Sequence, residues 1–136
     1  MTSTLRFFAI LLLLIPQLPS ASLGTIYKTP LESFNAAVNF ASVASADGIT
    51  LISATATNTL NGANVTSSII AASPAPAVAT SITVNGASQS GQFVTVRLQG
   101  GSNNQRVLVD VLVADNVTGE LFDGQFILLI SSGTGH

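Results

Sequence analysis

From Arg106 to Val113 the chain reads RVLVDVLV, which sets Val107, Val109, Val111 and Val113 on one side of an extended backbone. Leu108, Asp110 and Leu112 fall on the other side. A period of two fits a β-strand with one face in a core, whereas a helix needs apolar residues recurring every 3.6 positions. The segment before it repeats the pattern, with Val94, Val96 and Leu98 alternating against Phe93, Thr95 and Arg97. Between the two lies Gly100-Gly101-Ser102-Asn103-Asn104, a turn with no apolar side chain to bury.

The rest of the chain beyond Gly24 reads the same way. Phe34, Ala36, Val38 and Phe40 alternate with Asn35, Ala37 and Asn39, predicting a half-buried strand. A helix over 31–43 is the alternative there, with Asn35 and Asn39 on one exposed face; the strand reading is preferred. Asp47-Gly48 is a turn into a β-branched strand, Ile49 to Thr57, in which Ile49 and Leu51 face opposite to Ile52 and Ala54. Asn61-Gly62 is a further turn. Val65 to Ala72 reads as a strand ending at Ser73. Pro74 and Pro76 exclude central pairing, so the stretch 73–77 is an edge crossing or loop. Ile82 to Val84 is a short strand, and Asn85-Gly86 through Gly91 a polar turn. Asp115 to Gly119 turns again before a last strand, Leu121 to Ile130. Its FILLI run is apolar on both faces, so it is expected to be central or covered, and the tail after it frayed. About seven strands with turn signals between them predict an all-β fold, an antiparallel β-sandwich.

The first 24 residues are a separate object. Arg6 precedes an unbroken apolar run, Phe7 to Ile15; Pro16 and Pro19 follow, then the small residues Ser20, Ala21 and Ser22. This is the layout of a secretory signal peptide, in which Ser20 with Ser22, or Ser22 with Gly24, supplies the small-residue spacing for cleavage. Nine helical residues span about 14 Å, roughly half a hydrocarbon core, which is short for a membrane span. A retained hydrophobic arm, buried against a partner protein, and an uncleaved anchor are the other readings. The division expected is therefore 1–24, signal-peptide-like or arm, and 25–136, the sandwich domain.

Composition narrows the chemistry. The 136 residues carry 4 Lys+Arg, 6 Asp+Glu, 1 His and no Cys. Four basic residues make no phosphate-neutralising stripe, so nucleic-acid binding is not expected. Without cysteine there is no disulfide framework or thiolate site. His136, alone in a glycine-flanked tail, supplies neither a zinc site nor a base for a serine nucleophile. Asp110, Asp115, Glu120 and Asp123 could in principle furnish a carboxylate pair, but their turn and strand positions read as solvated surface. Asp115, Asn116 and Glu120 are oxygen donors in one loop, yet they lack the repeated spacing of a calcium loop and read as a plain turn. Gly100-Gly101 has no helix N-terminus behind it, so backbone angles rather than phosphate binding account for it. Asn64-Val65-Thr66 and Asn116-Val117-Thr118 match the N-glycosylation pattern. No catalytic, metal or cofactor residues are assigned, and the chain is read as a non-enzyme.

Four stretches resemble small phage virion proteins, the fiber-tail adaptor proteins. They are Lys28-Thr29-Pro30-Leu31-Glu32-Ser33-Phe34; Ala46-Asp47-Gly48-Ile49-Thr50-Leu51-Ile52-Ser53; Val94 to Val113; and Thr118-Gly119-Glu120. Two features depart from that pattern: Val107 stands where the family has Tyr, and the leader is foreign to proteins assembled in the cytoplasm. The resemblance implies an immunoglobulin-like sandwich that joins or decorates subunits at the tail, neck or capsid of a virion. Its partners would be other virion subunits in a symmetric assembly, with no small-molecule substrate, and contact with a membrane only in transit if the leader is a signal. The leader, the two-sided last strand, and Arg97 and Arg106 beside the glycine turn are the candidate contact elements. The alternative is an exported bacterial surface or periplasmic immunoglobulin-like module for binding or adhesion.

Overall fold

The computed structural model describes residues 22–132. In chain order its elements are β1 (Ser22–Lys28), β2 (Phe34–Asn39), β3 (Ile49–Asn58), a single helical turn α1 (Thr66–Ile69), β4 (Ala77–Val84), β5 (Ala87–Leu98), β6 (Gln105–Asp115) and β7 (Leu121–Ile130). The strands form a four-stranded sheet, ordered β1-β7-β6-β3, and a three-stranded sheet, ordered β2-β5-β4. The chain is all-β and crosses between the sheets as an immunoglobulin-like sandwich does: second, fifth and fourth strands in one layer, third, sixth and seventh in the other. The first strand runs parallel to β7, from Thr25 opposite Ile127 to Lys28 opposite Ile130, while the other strand pairs are antiparallel. It starts at Ser22, so the boundary expected at Gly24 falls inside β1.

The alternating segments build the core. Val107, Val109, Val111 and Val113 of β6 have no exposed surface and face Val94, Val96 and Leu98 of β5 in the same buried cluster. Phe126, Leu128 and Ile130 of β7 join them. Each side chain of this size stabilises the fold by roughly 1.5–3 kcal/mol when fully removed from water. β7 lies between β1 and β6, the central place expected of it; Phe126, Leu128 and Ile130 point into the sandwich, Ile127 and Leu129 out of it. The segment Phe34–Asn39 is strand, as the alternation predicts, and pairs with β5 from Phe34 opposite Leu98 to Asn39 opposite Phe93.

Three expectations are corrected. Residues 65–72 do not form a strand. Asn64 Oδ1 accepts the Thr66 amide at 2.9 Å and starts a helical turn, after which Ile69 and Ile70 both bury and Ile70 bridges to Leu98. The side taken by Ala54 is the second correction. The pairing of β3 with β6 slips between Leu51 and Ser53, so Ile52 is an extra residue that bulges outward, 52% exposed. The slip restores Ala54 and Ala56 to the inward side, with Ile49 and Leu51, rather than opposite them. Third, the polar stretch after Asn85-Gly86 is not a long turn. Asn85 (φ 51°) and Gly86 (φ 83°) close a two-residue hairpin loop between Val84 and Ala87, and 87–91 already belongs to β5.

Candidate functional site

The acids read from the sequence divide: Asp115 turns inward, while Asp110 and Asp123 share the outward side of the four-stranded sheet. Asp115 ends β6 on the inward side, in line with the four valines, and is 4% exposed. A carboxylate there needs hydrogen-bond donors in place of the water it has lost. The loop after β2 and the turn after β6 supply them. Ser45 donates its amide to Oδ2 at 2.7 Å and its hydroxyl to Oδ1 at 2.8 Å. The amides of Val117 (2.8 Å) and Thr118 (3.3 Å) donate to Oδ1. The Val117 and Ser45 amides hold this carboxyl at a pKa of about 2, against an opposing push from burial. Asp115 is thus a latch between the 40–48 loop and the β6–β7 turn, not the solvated surface acid expected.

The same bonds engage the oxygen donors of that loop. Donor hydrogens already occupy both Asp115 oxygens. Asn116 Oδ1 accepts the Thr50 hydroxyl at 2.6 Å, and Glu120 Oε1 lies 3.4 Å from the Thr118 hydroxyl. Among the described residues no three of His, Cys, Asp and Glu are grouped to hold a metal.

Asp110 and Asp123 sit on the outward side of the four-stranded sheet, opposite Gln125 and Leu112 respectively. They are half-buried, and the Oδ1 atom of each is shut off from solvent with no hydrogen-bond partner. Burial pushes the Asp110 carboxyl above its ordinary range, partly offset by the Gln125 side chain. Gln125 Nε2 reaches Asp123 Oδ2 only at 3.5 Å. Leu108, Leu112, Ile127 and Leu129 surround these acids, with Tyr27 (57% exposed) at the β1 edge.

Lys28 stands in the stretch 28–34 quoted above, but sequence reasoning gave its side chain no role. It is wholly buried, and its Nζ donates to the carbonyls of Gly100 (2.6 Å) and Thr29 (2.7 Å), tying the end of β1 to the glycine turn. Desolvation lowers its pKa, and the nearby Glu32 works the other way. The turn itself requires glycine twice over. Gly100 and Gly101 have φ of 57° and 92°, and a Cβ on Gly100 would stand 2.5 Å from the Ser68 carbonyl oxygen while one on Gly101 would collide with Ile130.

The two arginines flanking that turn part company. Arg97 alternates with the buried Val96 and Leu98, so it faces out from the three-stranded sheet and donates from Nε to Ser33 Oγ at 3.1 Å. Arg106 faces out from the four-stranded sheet, is exposed, and its guanidinium has no partner among the described residues. They do not make one patch. An open groove of about 410 Å³ lies between the start of β3 and β4, lined by Asp47, Ile49, Val78, Thr80 and Gln92 among others. Gln92 donates to the Ser45 carbonyl and leaves its Oε1 buried without a partner. The apolar run 7–15 and His136 lie outside the described residues. Comparison with protein-family models, with curated proteins and with solved structures finds no match.

Proposed function

We propose that this protein is a structural module of a phage-like particle, a small sandwich that joins or decorates larger subunits by packing. The observation that carries the reading is the outward face of the four-stranded sheet. The half-buried Leu108, Leu112, Ile127 and Leu129 and the exposed Tyr27 give this face an aliphatic and aromatic lining, while Asp115 and Lys28 are used up in holding loops together. The aliphatic part of this face meets a neighbour with little desolvation cost, and repeated copies in a symmetric assembly add avidity. The likeness of Val94 to Val113 to the fiber-tail adaptor proteins supports the same reading.

A second reading, an exported surface or periplasmic binding module, is favoured by one feature. β1 begins at Ser22, so cleavage after that residue would remove the leader and leave pairing from Thr25 to Lys28 with β7 intact. Mass spectrometry of the protein's N-terminus separates the two. Intact Met1 in purified particles is expected for the virion role. A chain starting at Leu23 or Thr25 and absent from particles would overturn it in favour of export.

A further inference from the structure

The outward face of β6 reads Arg106, Leu108, Asp110 along one line, a basic and an acidic residue equidistant from a leucine. We propose that this face pairs with the same face of a second copy about a two-fold axis passing near Leu108, so that Arg106 of each copy lies over Asp110 and Asp123 of the other. A two-fold in the plane between two stacked faces and perpendicular to the strands reverses β6 over itself. It sets 108 over 108 and 106 over 110, which is the self-complementarity an isologous contact demands.

Four independent features fit that occupant. The Arg106 guanidinium is exposed and unpartnered among the described residues, and it is the one base on this face. Asp110 and Asp123 each hold an oxygen without a hydrogen bond, and they are diagonal neighbours across β6 and β7, close enough for one guanidinium to serve both. Leu108 pairs with Ile127 across the two strands, and Leu129 and Tyr27 lie beside them, so the axis runs through the apolar part of the face. The outward positions of β3 opposite this region, Thr55 and Thr57, bring no opposing charge. The inference rests on the reading of this face as a packing surface and deepens it by naming a second copy as the neighbour, a role open to a particle module or an exported one.

Sedimentation equilibrium on the full chain tests it. The wild type is expected to dimerise. Arg106→Glu and Asp110→Arg should each weaken the dimer by about tenfold or more, and an equimolar mixture of the two should recover it as a heterodimer. Circular dichroism on each variant guards against misfolding, and Asp110→Asn offers a milder second variant if Asp110→Arg fails to fold. Because the chain has no cysteine, Thr57→Cys gives a single thiol beside the axis. A short bismaleimide should link two such copies, whereas Asn35→Cys on the opposite sheet should not link. A monomer at every soluble concentration, a dimer indifferent to the charge variants, or linkage through position 35 would overturn the proposal. None of these outcomes depends on whether particles contain the protein.

Discussion

The two sides of β6 are made from nearly the same residues and are under opposite constraints. Inward lie four valines and Asp115; outward lie Arg106, Leu108, Asp110 and Leu112. Each side thus has an aspartate among aliphatic groups. The inward one is met by four hydrogen bonds from two loops and its pKa falls to about 2. The outward one has a solvent-excluded oxygen with no donor, and its pKa rises. Burial of a carboxylate is therefore not one effect. What decides its sign is whether the chain brings backbone amides to it, and loops do this at a strand end more readily than a flat sheet does in its middle.

The largest break in the comparison comes from putting charge on each side in turn. Val109→Asp buries an unpaired carboxylate between β3 and β7 with no loop in reach, at a cost on the order of 3–5 kcal/mol, enough to abolish folding of a marginally stable domain. Leu108→Asp, one residue away, keeps the β circular-dichroism signal and a cooperative melt. Truncation gives the same ranking at smaller scale. Val109→Ala costs about 2 kcal/mol by urea denaturation, and Leu108→Ala about 1 kcal/mol or less, since its site opens to solvent or to a partner rather than to a cavity. Equal losses at the two positions would mean that the outward side is as enclosed as the core.

The strand faces were legible because period two is a strong local signal, and β6 carries it without interruption. Turns at Asp47-Gly48, Asn61-Gly62 and Asn85-Gly86 were legible for the same reason, with φ of 102° at Gly48 and 75° at Gly62 supplying the backbone angles only glycine takes freely. Where the reading failed, the deciding contact was distant or irregular. Ala87 to Gly91 is polar and so resembles a turn, but β4 across the hairpin makes it strand. The extra residue at Ile52 inverts the parity of β3, and no composition cue marks a bulge of that kind. The parallel pairing of β1 depends on β7, about a hundred residues away in sequence. Asp115 looked like an ordinary turn acid. Its parity with Val107 to Val113 was the available signal, because a strand that alternates inward to 113 carries 115 inward as well.

The latch at Asp115 sharpens the comparison through pH. Its folded pKa of about 2 lies below the value near 3.9 of an unfolded aspartate, so the folded state holds the proton less tightly. The stability this gives is fully present above about pH 4 and is lost as pH falls toward 2. Asp115→Asn should lower the melting temperature at pH 7, because Ser45, Val117 and Thr118 would donate to an amide that accepts through one oxygen only. It should also flatten the acid limb of the stability curve. An acid limb as steep as that of the wild type would assign the loss to other carboxylates.

The smallest effect is expected at Asp110, and its sign is the opposite one. Desolvation raises its folded pKa above the unfolded value, so between those two pKa values the folded state binds the proton more tightly. Its contribution is therefore favourable at acid pH and declines as pH rises through the folded pKa, the reverse of Asp115. Asp110→Asn removes the charge while keeping the shape, and should leave the monomer at pH 7 as stable as the wild type or slightly more so, with the gain vanishing toward pH 4. Urea melts at pH 7 and pH 4, at concentrations low enough to keep the chain monomeric, measure this directly. A clear loss of stability at pH 7 would mean that the charge already has a counterpart within the single chain, and that the outward aspartate is held as firmly as the inward one.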